Sequence, residues 1–182
     1  MGTSHLKSPA ITNLDATPVV PNTTGEGAPG YLREVSGSVT PVAADAAGST
    51  YQFCRVPSNA KIKSIWLVSQ AQGAGAIDIG VYYSDSTVDG TAPANQGLVV
   101  PTTGKTFFAS QVSLASAVSG DETFQNQATA GAYNASLMNT QLWSALGLTA
   151  DPGGFFDIVG TVDTTAVTTG GGLAGLSVRY VD

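Results

Sequence analysis

The chain has one cysteine and one histidine in 182 residues. A single thiol excludes any intrachain disulfide, and zinc requires imidazole or thiolate ligands in number, so one His and one Cys build no site within one chain. Charge is scarce as well: charged residues make 11%, against the usual quarter of a globular protein. Only seven are Lys or Arg and they form no cluster, while the net charge is −6. That balance lacks the basic footprint of a nucleic-acid binder. No apolar run approaches the length needed to span a bilayer as a helix, and Met1 to Leu14 has no apolar h-region of a secretion signal. The expectation is a protein made in a cytoplasm, with no membrane partner. Apolar residues make 42%, so the chain is not composed like a disordered one. The missing charge is replaced by Ala, Gly, Ser and Thr. Such a surface fits one covered by another protein, or equally a low-charge extracellular β domain.

Chemistry is as sparse as charge. Gly-x-Ser-x-Gly and Walker loops are absent, and Gly73-Ala-Gly75 is followed by Asp78 where a dinucleotide fingerprint needs Gly. Asp78 and Asp157 sit inside apolar strand patterns, where a carboxylate either has a raised pKa or simply projects from the solvent face between apolar neighbours; a solvent-face or hydrogen-bonded structural role is favoured. Cys54 reads as a small buried apolar residue. Asp85-Ser-Thr-Val-Asp-Gly90 imitates the start of a calcium loop, but Thr87 is a poor third ligand and Gln96 stands where the twelfth-position Glu belongs, so a polar turn is expected. Trp66, Tyr82 and Tyr83 suggest a sugar-binding platform, against the commoner role of strand aromatics in a core. The expectation is a non-enzyme without cofactor or metal.

Two regions follow. Residues 1–30 carry Pro9, Pro18, Pro21 and Pro29, which favour extended backbone and remove donors. They also carry Leu6, Ile11, Leu14, Val19 and Val20, more apolar residues than a linker needs. We read them as an extended N-terminal arm that docks on a neighbour, with Leu6, Pro9, Ile11, Leu14, Val19 and Val20 as its contact residues. Residues 31–182 form one domain of roughly eight strands. The strand patterns are Tyr31–Val42, Thr50–Val56, Lys61–Ser69, Ala76–Ser84, Thr106–Leu114, a weaker Glu122–Asn126, Phe155–Asp163 and Leu173–Val181. Pro57-Ser58-Asn59 makes a turn. In the third pattern Ile62, Ser64, Trp66 and Val68 fall on one face by the two-residue period and Lys63, Ile65 and Leu67 on the other, the mark of a mid-sheet strand. One short helix is expected at Gln141–Leu146, capped by Asn139 and ended by Gly147. The long connection over residues 84–106 is a second candidate contact. The fold class is all-β: an antiparallel β-sandwich, jelly-roll-like, with one short helix and an extended arm.

Four motifs occur in a fixed order: Phe53-Cys-Arg-Val-Pro-Ser-Asn-Ala-Lys-Ile62, Asp78-Ile-Gly-Val-Tyr82, Leu142-Trp-Ser-Ala-Leu-Gly-Leu-Thr-Ala-Asp-Pro-Gly-Gly154, and Leu176-Ser-Val-Arg-Tyr-Val181. With the opening Ser8-Pro-Ala-Ile-Thr-Asn-Leu-Asp-Ala-Thr-Pro18, the set resembles small structural proteins of tailed bacteriophages, among them head decoration (cement) proteins. The resemblance implies a sandwich or jelly-roll body bound in many copies outside the head. Its implied partners are the major capsid protein and copies of itself, as dimer or trimer, and it transfers no catalytic residue. A tail or baseplate (receptor-binding) component is the alternative, and a carbohydrate-binding module a more distant one.

Overall fold

Among the described residues eight strands divide equally between two four-stranded antiparallel sheets. The computed structural model describes residues 31–84, 95, 97–100, 104–163, 166–169 and 171–182. The strands are β1 (Leu32–Val39), β2 (Thr50–Pro57), β3 (Lys61–Ser69), β4 (Ala76–Tyr83), β5 (Ala109–Ser113), β6 (Val118–Asp121), β7 (Phe155–Val162) and β8 (Ala174–Val181). Their order is β1-β8-β3-β6 in one sheet and β2-β7-β4-β5 in the other. The pairs β1·β8, β2·β7, β3·β6 and β4·β5 are nested, the first strand with the last and so inward. An eight-strand ribbon folded at the β4–β5 connection and then rolled has this order, which is that of a jelly roll.

The interior is the product of that rolling. Ile62, Ile65, Leu67, Leu176 and Val178 face Val56, Ile77, Ile79, Val81, Phe156 and Ile158, all fully or almost fully buried. An aromatic group joins this core, with Phe107, Phe108, Phe124 and Tyr133 ring centroids 5.0–5.7 Å apart. Such pairings add about 0.5–1.5 kcal/mol each beyond their area. At one side the two sheets nearly touch: a Cβ at Gly37 on β1 would lie 1.9 Å from the Phe53 carbonyl oxygen on β2.

Three expectations are corrected by local geometry. First, β3 does not keep one period. Its register against β8 shifts between Ile62 and Ser64, so Lys63 is an extra residue. Ile62 and Ile65 therefore both point inward, while Ser64, Trp66 and Val68 face out. The bulge is held from outside the strand. Tyr133 donates its hydroxyl to the Ile62 carbonyl at 2.6 Å, and Lys63 Nζ donates to the Met138 carbonyl at 2.8 Å and Asn139 Oδ1 at 2.7 Å. Second, that bond takes Asn139 away from the helix it was expected to cap. The helix α1 (Leu142–Ala145) is a single turn preceded by Gln141, which makes no side-chain cap. The Leu142 and Trp143 amides instead donate to the Ala60 and Ser58 carbonyls of the β2–β3 turn, at 2.8 and 3.1 Å. Gly147, at φ +76°, does end the helix in the left-handed region. Third, the sixth strand is Val118–Asp121; residues 122–126 turn, because Thr123 accepts the Ile65 amide through its hydroxyl and donates both its amide and its hydroxyl to Asp121.

Candidate functional site

The two sheets have outer faces of different kinds, and the difference locates the candidate site. On β2-β7-β4-β5 the outward positions are Asp78, Gly80 and Tyr82 on β4 and Asp157, Val159 and Thr161 on β7. Every one of them is buried. Gly104–Thr106, a 3₁₀ turn, crosses over β4 at Gly80, where a Cβ would meet the Gly104 carbonyl oxygen at 1.8 Å. Just before it, Leu98 and Val100 run along β4, with Val100 N–H donating to Val81 O at 3.1 Å and Tyr83 N–H to Leu98 O at 2.9 Å. Lys105 pins this strap, its ammonium 2.9 Å from Asp78 and 3.2 Å from Asp163. The Asp78 hydrogen bond, first among several contacts, raises the Lys105 pKa. Asp78 also accepts the amide of Gln111 at 2.9 Å; Gln111 lies in the left-handed region, at the bulge where β5 slips against β4. Asp157 takes both arms of Arg55, at 2.6 and 2.9 Å. The Tyr82 hydroxyl shares a 2.7 Å hydrogen bond with Thr161.

These contacts answer the question of paired carboxylates. Asp78 stands opposite Thr161 and Asp157 opposite Tyr82, so the two are four residues apart along the sheet. At about 3.3 Å per residue that is roughly 13 Å, beyond the spacing at which two carboxylates flank one scissile bond. Each carboxylate is in a structural hydrogen-bonded role. Cys54 is buried with its Sγ 3.3 Å from the Leu176 carbonyl, and burial pushes its thiol up to about 12. A thiol so protonated is a poor nucleophile. No group of three or more His, Cys, Asp or Glu that could hold a metal occurs among the described residues.

The outer face of β1-β8-β3-β6 is open among the described residues. The register lines its outward residues up in three rows: Glu34, Arg179 and Ser64; Ser36, Ser177, Trp66 and Asp121; Ser38, Gly175, Val68 and Ser119. Trp66 is 46% exposed and Val68 50%, side by side on a face whose other uncharged outward residues are Ser and Gly. Leu173, also exposed, keeps the same parity just before β8 and extends this apolar strip. Its charged residues are Glu34 and Arg179 in one end row and Asp121 on the edge strand β6, in the row of Trp66. Arg179 pairs with Glu34 at 2.9 Å, and Glu34 also accepts the Ser177 hydroxyl at 2.8 Å. Those two bonds hold the Glu34 carboxyl below its usual range, the serine first. Hydroxyls, an indole and an isopropyl group on a flat sheet can bind, but they contain no general base, nucleophile or oxyanion donor set.

The proposed aromatic platform is not assembled. Trp66 stands on this open face, Tyr82 is buried on the outside of the other sheet, and Tyr83 packs against Phe156 with centroids 5.7 Å apart. The connection over 84–106 is partly accounted for: its described portions, 97–100 and 104–106, fold back on β4 instead of standing free. Asp85–Gly90 lies outside the described residues, as do Leu6, Pro9, Ile11, Leu14, Val19 and Val20 of the arm. What sequence reasoning missed is the open face itself. The signal was present in the small residues Ser36, Ser38, Gly175 and Ser177, which alternate with core positions on two strands that pair.

A scan of known protein families finds no match to this sequence, and a search of curated proteins finds none either. Among solved structures the chain is similar to a chain of the capsid asymmetric unit of cyanophage Pam1, with 13% identity and a TM-score of 0.40 over 92% of this chain and 96% of that one. That likeness is too loose to carry an inference.

Proposed function

We propose that this protein is a virion structural protein of a tailed bacteriophage: a non-enzymatic decoration (cement) protein that binds the outer surface of the head and stabilises contacts between capsomers. Two things support the reading. The four ordered motifs and the Ser8–Pro18 opening resemble that class, and they fall on a jelly-roll body. The observation that carries it is the contrast between the faces. Asp78 and Asp157 are held in internal ion pairs, whereas the open surface offers Trp66 and Val68 among serine hydroxyls with few charges, which suits protein contact.

The physical role follows from mass action. A protein that binds only the assembled shell stabilises the shell by the free energy of its occupancy, and many copies multiply a modest contact. The major capsid protein is the proposed partner. The arm residues Leu6, Pro9, Ile11, Leu14, Val19 and Val20 are proposed to make the contact to the shell or to a neighbouring copy, as an extended segment.

The test is addition of the full chain, and of a chain lacking residues 1–21, to purified heads that lack it. The full chain saturates the outer surface in cryo-electron microscopy, and the truncated chain keeps the melting profile of the body but loses occupancy. Unchanged occupancy removes the arm from the account. Labelling of the tail in intact virions, with bare heads, favours the tail or baseplate reading.

A further inference from the structure

The open face has a pattern that selects its occupant. Along β3 the outward residues of two adjacent rows are large, Trp66 and Val68. Along the neighbouring β8, in the same two rows, they are the small Ser177 and Gly175. The next strand, β1, continues the small side with Ser36 and Ser38. The face is therefore a step, with a raised column on β3 and a low floor two strands wide beside it.

A step of this kind is complementary to itself. Consider a two-fold axis lying along the strands, between β8 and β3. It turns the face onto a second copy and exchanges the β3 and β8 columns. Each Trp66 then lies over the partner's Ser177, each Val68 over the partner's Gly175, and Ser36 over the partner's Asp121. Large meets small in both rows of the β3–β8 exchange, which is the condition for two layers to interdigitate, while the flanking β1–β6 exchange brings small residues together, Ser38 over Ser119 among them. The contact is isologous, so it closes at two copies.

We propose that the outer face of β1-β8-β3-β6 pairs with the same face of a second copy of this chain about that axis. The proposal rests on reading this face as a binding surface, and not on the head assignment. The size of the face sets the strength. β1, β3 and β8 are about 26–30 Å long and β6 about 13 Å; at about 4.8 Å per strand they offer roughly 450 Å² per copy, or about 900 Å² in all. That is the size of a weak, transient contact. The dimer is weak in dilute solution and favoured wherever copies are concentrated on a shared surface. In the end row each Arg179 lies over the partner's Ser64, while Glu34, its ion-pair partner on β1, lies beyond the end of the partner's β6 and stays at the rim.

Column exchange is the test, read by sedimentation of the full chain from about 10 µM to about 1 mM. Wild type moves from monomer to dimer over that range. Ser177→Trp sets indole against indole and abolishes dimerisation. Trp66→Ser removes the raised residue and weakens it at least tenfold. The double variant Trp66→Ser/Ser177→Trp exchanges the columns and restores the dimer. A merely sticky apolar patch behaves oppositely, since Ser177→Trp would strengthen association. That result, or a monomeric wild type at the highest concentration, overturns the proposal. Should Ser177→Trp fail to fold, Val68→Glu takes its place, with dimer loss expected and persistence overturning the proposal. Wild type that stays monomeric yet decorates heads removes this dimer and leaves the head reading standing; a dimer that never binds heads does the reverse.

Discussion

Both sheets of this jelly roll have an outer face, and among the described residues only one of the two is covered. Over β4 and β7 the chain lays its own strap, Gly104–Thr106, and Asp78, Asp157, Tyr82 and Thr161 find partners beneath and beside it. Over β3 and β8 the chain lays nothing among the described residues, and Trp66 and Val68 stay half in water. The covered face contains polar and charged side chains, because burial of such groups is tolerated once each has a partner. The open face contains few charges, because a surface that is to be covered by another protein must shed its water at low cost. Charged groups therefore mark the side that the described chain closes for itself, and small residues with Trp66 and Val68 the side proposed for contact with a second copy.

The largest effect that breaks this contrast lies at Gly80. Gly80→Val directs a side chain into the Gly104 and Lys105 carbonyls, so the strap must lift and expose Asp78. A loss of about 3 kcal/mol is expected in denaturant melts; a loss below about 1 kcal/mol means that the strap does not close this face.

Lys105→Met is the next step down. It leaves the strap in place but takes the ammonium from Asp78 and Asp163, costing about 2 kcal/mol at neutral pH. The sign of the pH dependence is set by the raised Lys105 pKa. A lysine raised in the folded state contributes stability that is fully present below its unfolded value of about 10.4 and lost as pH rises through the folded one. The gap between wild type and variant should thus be constant through neutral pH and close in strongly alkaline solution. A gap that persists there assigns the effect to packing of the lysine stem.

The smallest effect is expected on the open face. Val68→Ser removes a large apolar group from a mid-sheet strand, yet the monomer's stability should move by no more than about 0.5 kcal/mol, since Val68 is half in water already. A melting shift as large as that of a core truncation would show the face to be packed against something within the chain.

Much of the body was legible in the sequence. The third and fourth strand patterns start where β3 and β4 start, the Pro57-Ser58-Asn59 turn falls between β2 and β3, and Gly147 ends the helix. These are local matters of alternation, proline and positive φ. The faces were less legible. The two-residue period put Ile62 with Trp66, and the bulge at Lys63 separates them. Asn139 looked like a cap until Lys63, 76 residues earlier in the chain, claimed its side chain. Trp66, Tyr82 and Tyr83 looked like one platform because pattern alone does not say which strands share a surface.

By itself the sequence determined the β class, the approximate strand count and the poverty of charge, since each depends on composition or on neighbours a few residues apart. The tertiary structure decided which side of each strand is inside, how Asp78 and Asp157 are neutralised, and that Trp66 and Val68 stand beside Ser177 and Gly175 as a step. Those outcomes depend on bulges held by side chains distant in sequence, on a strap that returns from beyond β4, and on β8 lying between β1 and β3. Contacts across more than a hundred residues carry no local period, and only the rolled ribbon brings them together.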